Sequence, residues 1–206
     1  MTDALILVDI QNDFLPGGSL AVPDGGEVIP VANFLIPRFD HVFATQDWHP
    51  ADHGSFASQY EGRSPGETID LSGLQQVLWP DHCVQDSAGA EFAADLELPK
   101  SAGIVPKGTD RMVDSYSGFF DNGQRSATEL NDALKSRGIR RVFVLGLATD
   151  YCVRFTALDA KQLGFETVLV EDGCRGVNLK SGDVDQALQE MADAGVQMTN
   201  SSELNF

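Results

Sequence analysis

Apolar residues along this chain come in short blocks, and their period switches between that of strands and that of helices. Residues 4–8 (Ala-Leu-Ile-Leu-Val) form an unbroken apolar run that stops at Asp9, which reads as a strand buried on both faces. Helical spacing follows over 28–36, confined by Pro30 and Pro37, and 42–45 is the next strand. The alternation resumes after Lys100, with strands at 102–106, 141–145, 166–170 and 196–199 and helices at 126–137, 150–163 and 183–194. Six strands with intervening helices predict an α/β fold, a three-layer doubly wound arrangement around a six-stranded, mostly parallel sheet. No internal repeat or low-complexity tract interrupts the 206 residues, so one domain over 1–206 is expected. The long polar stretch from Gln46 to about Lys100 lacks a clear period. It is rich in Gly, Ser, Asp and Pro, and loops of that length in compact domains generally build a site or a lid.

A doubly wound sheet binds its ligands at the carboxyl ends of its strands, which singles out the polar residues just past each strand. Asp9 ends the first strand and leads through Gln11, Asn12 and Asp13 to Phe14, which packs over that turn or walls a pocket; an acid there also suits a simple turn cap. Lys107 follows the strand 102–106 and precedes Gly108. Cys152 follows the strand and tight turn of Val142 to Asp150, with Thr149 and Asp150 as natural N-caps that put Cys152 in the first helical turn. Unpaired N–H groups at a helix start favour a thiolate and suit an oxyanion on a bound carbonyl. A buried cysteine serving as a small hydrophobe is the competing reading. Asp9, Lys107 and Cys152 at three strand ends would form one cluster, with the lysine holding the sulfur ionised.

A second cluster lies in the long loop. Three of the four histidines fall between 49 and 82, and Asp47 and His49 sit two apart just past a strand, with side chains facing the same way. His53 follows four residues later, and His82 arrives in Trp79-Pro80-Asp81-His82-Cys83. A carboxylate with imidazoles suits zinc, iron or manganese, and three protein ligands leave positions open for water or substrate. Pairing of these histidines with nearby acids is the alternative. His41, at a strand start, reads as structural; Cys174 and Cys83 read as bystanders, with Cys83 a substitute ligand if His82 is not one.

Composition narrows the classes. Fourteen Lys and Arg against thirty-one Asp and Glu give a net charge of −17, a surface that repels phosphate backbones and anionic lipid. Neither nucleic acid nor a membrane is an expected partner, and a homo-oligomer is left open. Three cysteines are too few for a disulfide scaffold, and no apolar run is long enough for a signal-peptide core or a bilayer span. A reducing cytoplasm is therefore the expected location.

Leu5–Phe14, Gln46-Asp47-Trp48-His49-Pro50, Trp79-Pro80-Asp81-His82-Cys83, Lys107-Gly108 and Gly146–Val153 occur in the order found in nicotinamidases and pyrazinamidases. Over nearly its whole length the chain thus resembles the isochorismatase-like cysteine hydrolase family. The resemblance implies the six-stranded parallel sheet and deamidation of nicotinamide, or analogues such as pyrazinamide, to the acid and ammonia through a cysteine thioester, as in NAD salvage. It implies Cys152 as nucleophile, Asp9 as general acid/base and Lys107 as third catalytic residue. Asp47, His49 and His82 match the ligands of one divalent transition metal, zinc before iron or manganese, which binds the pyridine nitrogen. His53 is left outside that set, because its equivalent ligates in some members and only supports in others. Phe14, Trp79, Tyr116 and Tyr151 match pocket positions. Leu147–Ala148 matches a cis peptide, with N–H groups near Ala148 and Cys152 facing the substrate oxygen. Two other readings stay open. One is a related amidohydrolase for ureido or carbamoyl compounds, whose members often lack the metal cluster. The other is a non-catalytic metal-binding or thiol redox protein, which has no use for Asp9 and Lys107.

Overall fold

The first apolar run becomes the centre of the sheet. In the computed structural model, which describes residues 2–204, strand β1 (Asp3–Val8) buries all five of its apolar side chains; each fully buried Leu, Ile or Val is worth about 1.5–3 kcal/mol relative to exposure. On one side β1 pairs with β2 (Val42–Asp47), which in turn pairs with β5 (Gly103–Lys107). On the other side lie β6 (Arg141–Leu147), β7 (Glu166–Arg175) and β8 (Gln197–Thr199). The order is β5-β2-β1-β6-β7-β8, and every neighbouring pair runs parallel. All six expected strands are therefore in this sheet, flanked by helices α1 (Val28–Leu35), α2 (Leu130–Ser136), α3 (Arg154–Gln162) and α4 (Asp183–Asp193). Pro106 is accommodated because β5 is an edge strand.

The chain winds outward from β1 through β2 to β5, then returns to start again at β6 on the opposite side. The switch point thus lies between the carboxyl ends of β1 and β6, where Val8 is in register with Gly146. In a doubly wound sheet this crevice is the natural ligand site.

Three sequence expectations change in detail. The helix expected over 126–137 is only Leu130–Ser136. Its first residues are committed to a turn: the Asp121 carboxylate accepts N–H groups from Gly123, Arg125 and Ser126 at 2.8–2.9 Å. The helix expected from 150 starts instead as a π-helical turn, Thr149–Val153, and α3 begins at Arg154. Neither Thr149 nor Asp150 caps it; buried Asp150 turns away to accept the N–H groups of Val177 and Asn178 at 2.9 and 2.7 Å. The long loop also contains a hairpin, β3 (Thr68–Leu71) and β4 (Leu74–Val77), closed by Ser72 and Gly73, both at positive φ. Two such residues make the turn whose twist suits a two-residue hairpin. The rest of that loop is tied down by side chains. Gln11 donates to the carbonyls of Asp47 and Ala90 and accepts from the Asp47 N–H, all within 2.9 Å.

Asp150 joins the turn carrying Cys152 to the β7–α4 connection through two charge-assisted hydrogen bonds to backbone. Asp150→Ala leaves both N–H groups without their acceptor and should lower stability by about 2–4 kcal/mol. Urea unfolding, compared at constant slope, measures this; an unchanged midpoint would contradict it.

Candidate active site

Asp9 leaves β1 in the left-handed region, φ 50°, which aspartate tolerates better than most residues. Its fully buried carboxylate accepts the Thr45 hydroxyl at 2.6 Å, while its own N–H donates to the same oxygen at 3.2 Å. Lys107, which ends β5 where the sequence put it one residue beyond, completes the cluster. Its buried ammonium lies 2.9 Å from Asp9 Oδ2, pairs with Asp47 Oδ1, donates to the Ser115 carbonyl at 2.9 Å and reaches Cys152 Sγ at 3.5 Å. Asp9, Lys107 and Cys152 therefore meet despite their separation in sequence.

Burial sets the proton affinities here, and the charges then divide them. Burial, reinforced by Asp47, raises Asp9 to about 6 despite Lys107. Burial alone would lower Lys107, but Asp47 and Asp9 outweigh it and hold the ammonium well above its ordinary value. For Cys152 burial wins: the thiol is pushed well above its usual range, against Lys107 and with help from Asp9 and Asp47. The sequence expectation of a resting thiolate at a helix start is therefore corrected. Burial and the two neighbouring carboxylates favour the thiol form, against the pull of Lys107.

Asp47, His49 and His82 converge at the other side of Lys107. Asp47 Oδ2 lies 3.5 Å from His49 Nε2 and 3.8 Å from His82 Nε2, and one donor atom from each residue lies within 4.8 Å of the others. The Nδ1 of His49 faces the Gly108 carbonyl and that of His82 the Pro80 carbonyl, both at 2.8 Å. Donation from Nδ1 leaves each Nε2 as a free lone pair, the usual arrangement for metal-ligating histidine. His49 Nε2 is buried with no hydrogen-bond partner. A carboxylate oxygen and two imidazole nitrogens, one of them orphaned, fit a divalent transition metal. Gly108, at φ 65°, lies directly against the His49 ring, where any side chain would collide. The His53 ring lies tilted against that of His49, with centroids 4.4 Å apart, and its Nδ1 is 2.7 Å from Ser55 Oγ.

One pocket joins the two clusters. Phe14, Trp79, Tyr116 and Tyr151 line it together with Leu20, Asp114 and Val177; Ala148 and Cys152 lie at one part of its lining and Asp47 and His82 at another. The Leu147–Ala148 peptide bond is cis.

An isochorismatase domain model matches residues 3–203 of this sequence. The chain belongs to the isochorismatase domain family. Within that family the nicotinamidase of Escherichia coli (strain K12) is 52% identical over 201 residues, covering 95% of this chain and 93% of that protein. The solved nicotinamidase/pyrazinamidase of Acinetobacter baumanii is similar with a TM-score of 0.95 and 46% identity, over 99% of this chain and 98% of that one. The pyrazinamidase of Pyrococcus horikoshii, solved in complex with zinc, has a TM-score of 0.80 and 40% identity, over 97% of this chain and 99% of that one.

Several residues of this isochorismatase-family site escaped the sequence reading. Thr45 binds Asp9, Asp114 lines the pocket, and Phe56 packs its ring edge-on against His49 and near His82 at 5.6 and 5.5 Å. Thr45 was accessible to the strand-end argument, two residues before Asp47. Phe56 and Asp114 carry no signal apart from lying near site residues in sequence. Cys83 and Cys174 are free, buried thiols outside the pocket lining.

The donor set predicts that protein incubated with Zn²⁺ and then desalted retains about one ion per chain. Asp47→Ala and His82→Ala should each lose that ion while keeping the native circular dichroism spectrum. Wild-type retention in both variants, measured by elemental analysis, would contradict the ligand set.

Proposed function

We propose that this chain is a nicotinamidase, a metal-dependent cysteine amidohydrolase that converts nicotinamide, and analogues such as pyrazinamide, to the acid and ammonia. The observation that carries the reading is a single aromatic-walled pocket lined by both Cys152 and the Asp47/His82 pair. It is supported by 52% identity to a nicotinamidase over nearly the whole chain. Asp47, His49 and His82 would hold a divalent metal, zinc before iron or manganese, which supplies a Lewis-acidic anchor for the ring nitrogen and so orients the substrate.

Phe14, Trp79, Tyr116 and Tyr151 enclose the pyridine ring with its carboxamide toward Cys152. Asp9, ionised above about pH 6, takes the proton from Cys152 Sγ as sulfur attacks the carbonyl carbon. Backbone N–H groups at Ala148 and Cys152 hold the oxyanion. The tetrahedral centre collapses as Asp9 returns the proton to the leaving nitrogen, which departs as ammonia and leaves a thioester. Water, giving a proton to Asp9, then displaces the sulfur, and Asp9 reprotonates it. Lys107 balances Asp9 and the transient thiolate throughout. A ureido or carbamoyl substrate has no ring to fill the aromatic walls, and a thiol redox protein needs neither Asp9 nor Lys107. Among the described residues no helix is long and apolar enough to cross a membrane.

Purified, metal-loaded protein should release ammonia and nicotinate from nicotinamide in equal amounts. Asp9→Asn, which keeps the shape and removes the base, should lower kcat/KM by about 10²–10⁴-fold. No ammonia from the wild type would overturn the functional reading. Undiminished turnover in Asp9→Asn would overturn the proton shuttle.

A further inference from the structure

The hairpin that the sequence concealed delivers one polar side chain to the back of the pocket. Gln76 on β4 is buried, yet it lies outside the pocket lining. Its amide nitrogen has two hydrogens to share among three acceptors, the Val77 carbonyl at 2.8 Å, Asp114 Oδ2 at 3.0 Å and Tyr116 Oη at 3.1 Å. Its amide oxygen faces Asn122 Nδ2 at 3.5 Å, and Asn122 Oδ1 accepts the Tyr116 N–H at 2.9 Å. Tyr116 is thus gripped at both its hydroxyl and its backbone.

The same hydroxyl accepts Trp79 Nε1–H at 3.2 Å. Gln76 and Trp79 thus both face the Tyr116 hydroxyl oxygen as donors, which couples the amide to both rings. The rings then follow: Tyr151 meets Trp79 edge-on at 4.9 Å and Tyr116 edge-on at 5.3 Å, while Phe155 stacks behind Tyr116 at 5.5 Å. Trp79, Tyr116 and Tyr151 all line the pocket, so one amide outside it fixes the angle of a complete wall.

We infer that Gln76 is a positioning residue, which sets the Trp79–Tyr116–Tyr151 wall for the substrate ring through the Tyr116 hydroxyl. This assignment rests on the nicotinamidase reading. Gln76 has no hydrogen bond to Asp9, Lys107 or Cys152 and touches the pocket through Tyr116 and Asp114, so its effect is expected on substrate binding rather than on the chemical step. Pocket walls lose affinity when a supporting hydrogen bond is removed, and one such bond of ordinary strength is worth about tenfold.

The test compares Gln76→Met, which keeps the length and lacks the donors, with Tyr116→Phe and the double variant. KM for nicotinamide should rise about tenfold in Gln76→Met, with kcat held within about twofold. Tyr116→Phe removes the shared acceptor, so its KM should rise similarly, and the double variant should be no worse than either single one. The chain has two tryptophans, Trp48 and Trp79, so its indole N–H spectrum has two resonances. In Gln76→Met the Trp79 signal should shift and exchange faster with solvent while that of Trp48 stays put, which also verifies the fold. Unchanged KM in an active enzyme, additive effects in the double variant, or an equal fall in kcat would overturn the Gln76 assignment alone. Wild-type protein that leaves nicotinamide intact would instead overturn the functional reading on which it rests.

Discussion

The arrangement of this molecule turns on one buried ammonium. Lys107 brings a positive charge to the carboxyl ends of the strands, where Asp9 directly follows β1 and Asp47 ends β2. Two buried carboxylates side by side would repel each other without it, and the lysine alone would be equally costly. Together they form a set whose disruption, by loss of one partner, costs about 3–5 kcal/mol in comparable cases. The set ties three strand ends and the turn carrying Cys152 to one point. It also explains why Lys107 is fully buried in a chain with only 14 basic residues against 31 acidic ones.

Sharing one cation does not make the two carboxylates alike. Asp9 sees burial, a hydroxyl and Lys107, and is raised to about 6. Asp47 is buried as well, but Lys107, His49 and His82 together more than offset that and hold it well below the usual carboxylate range. Environments that push two acids apart assign them different tasks. Asp9 can gain and lose a proton near neutrality, as a shuttle requires, whereas Asp47 stays anionic, as a metal ligand requires. In the proposed reaction the chemistry is therefore divided on either side of Lys107, with proton transfer and sulfur toward Cys152 and ring recognition toward Asp47.

The fold was legible where the core dictates it. Each of the six strands is a short β-rich run, and burial on both faces of a parallel sheet leaves little choice of partner. Asp9, Asp47, Lys107 and the turn before Cys152 are legible as strand-end residues, because topology alone decides which residues reach the switch point. What stayed hidden is held by polar contacts, which have no period. The Ser72-Gly73 hairpin is only four residues per strand and half exposed. Asp150 resembles a helix cap in sequence and instead binds a loop 27 residues away. Gln76, Asn122 and Asp114 meet only after the hairpin folds over the pocket. Burial likewise pushes the Cys152 thiol up, against the thiolate expected of a helix start, which favours the anion only where desolvation does not exceed it.

On the proposed mechanism Cys152, and no other thiol of the three, carries the acyl group. Metal-loaded enzyme mixed with nicotinamide, quenched in acid during turnover and digested, should yield a nicotinoyl adduct on the peptide containing Cys152, seen by mass spectrometry. The adduct should be absent from the Cys83 and Cys174 peptides and from Cys152→Ala protein. An adduct on Cys83 or Cys174, or normal ammonia release by Cys152→Ala, would contradict it.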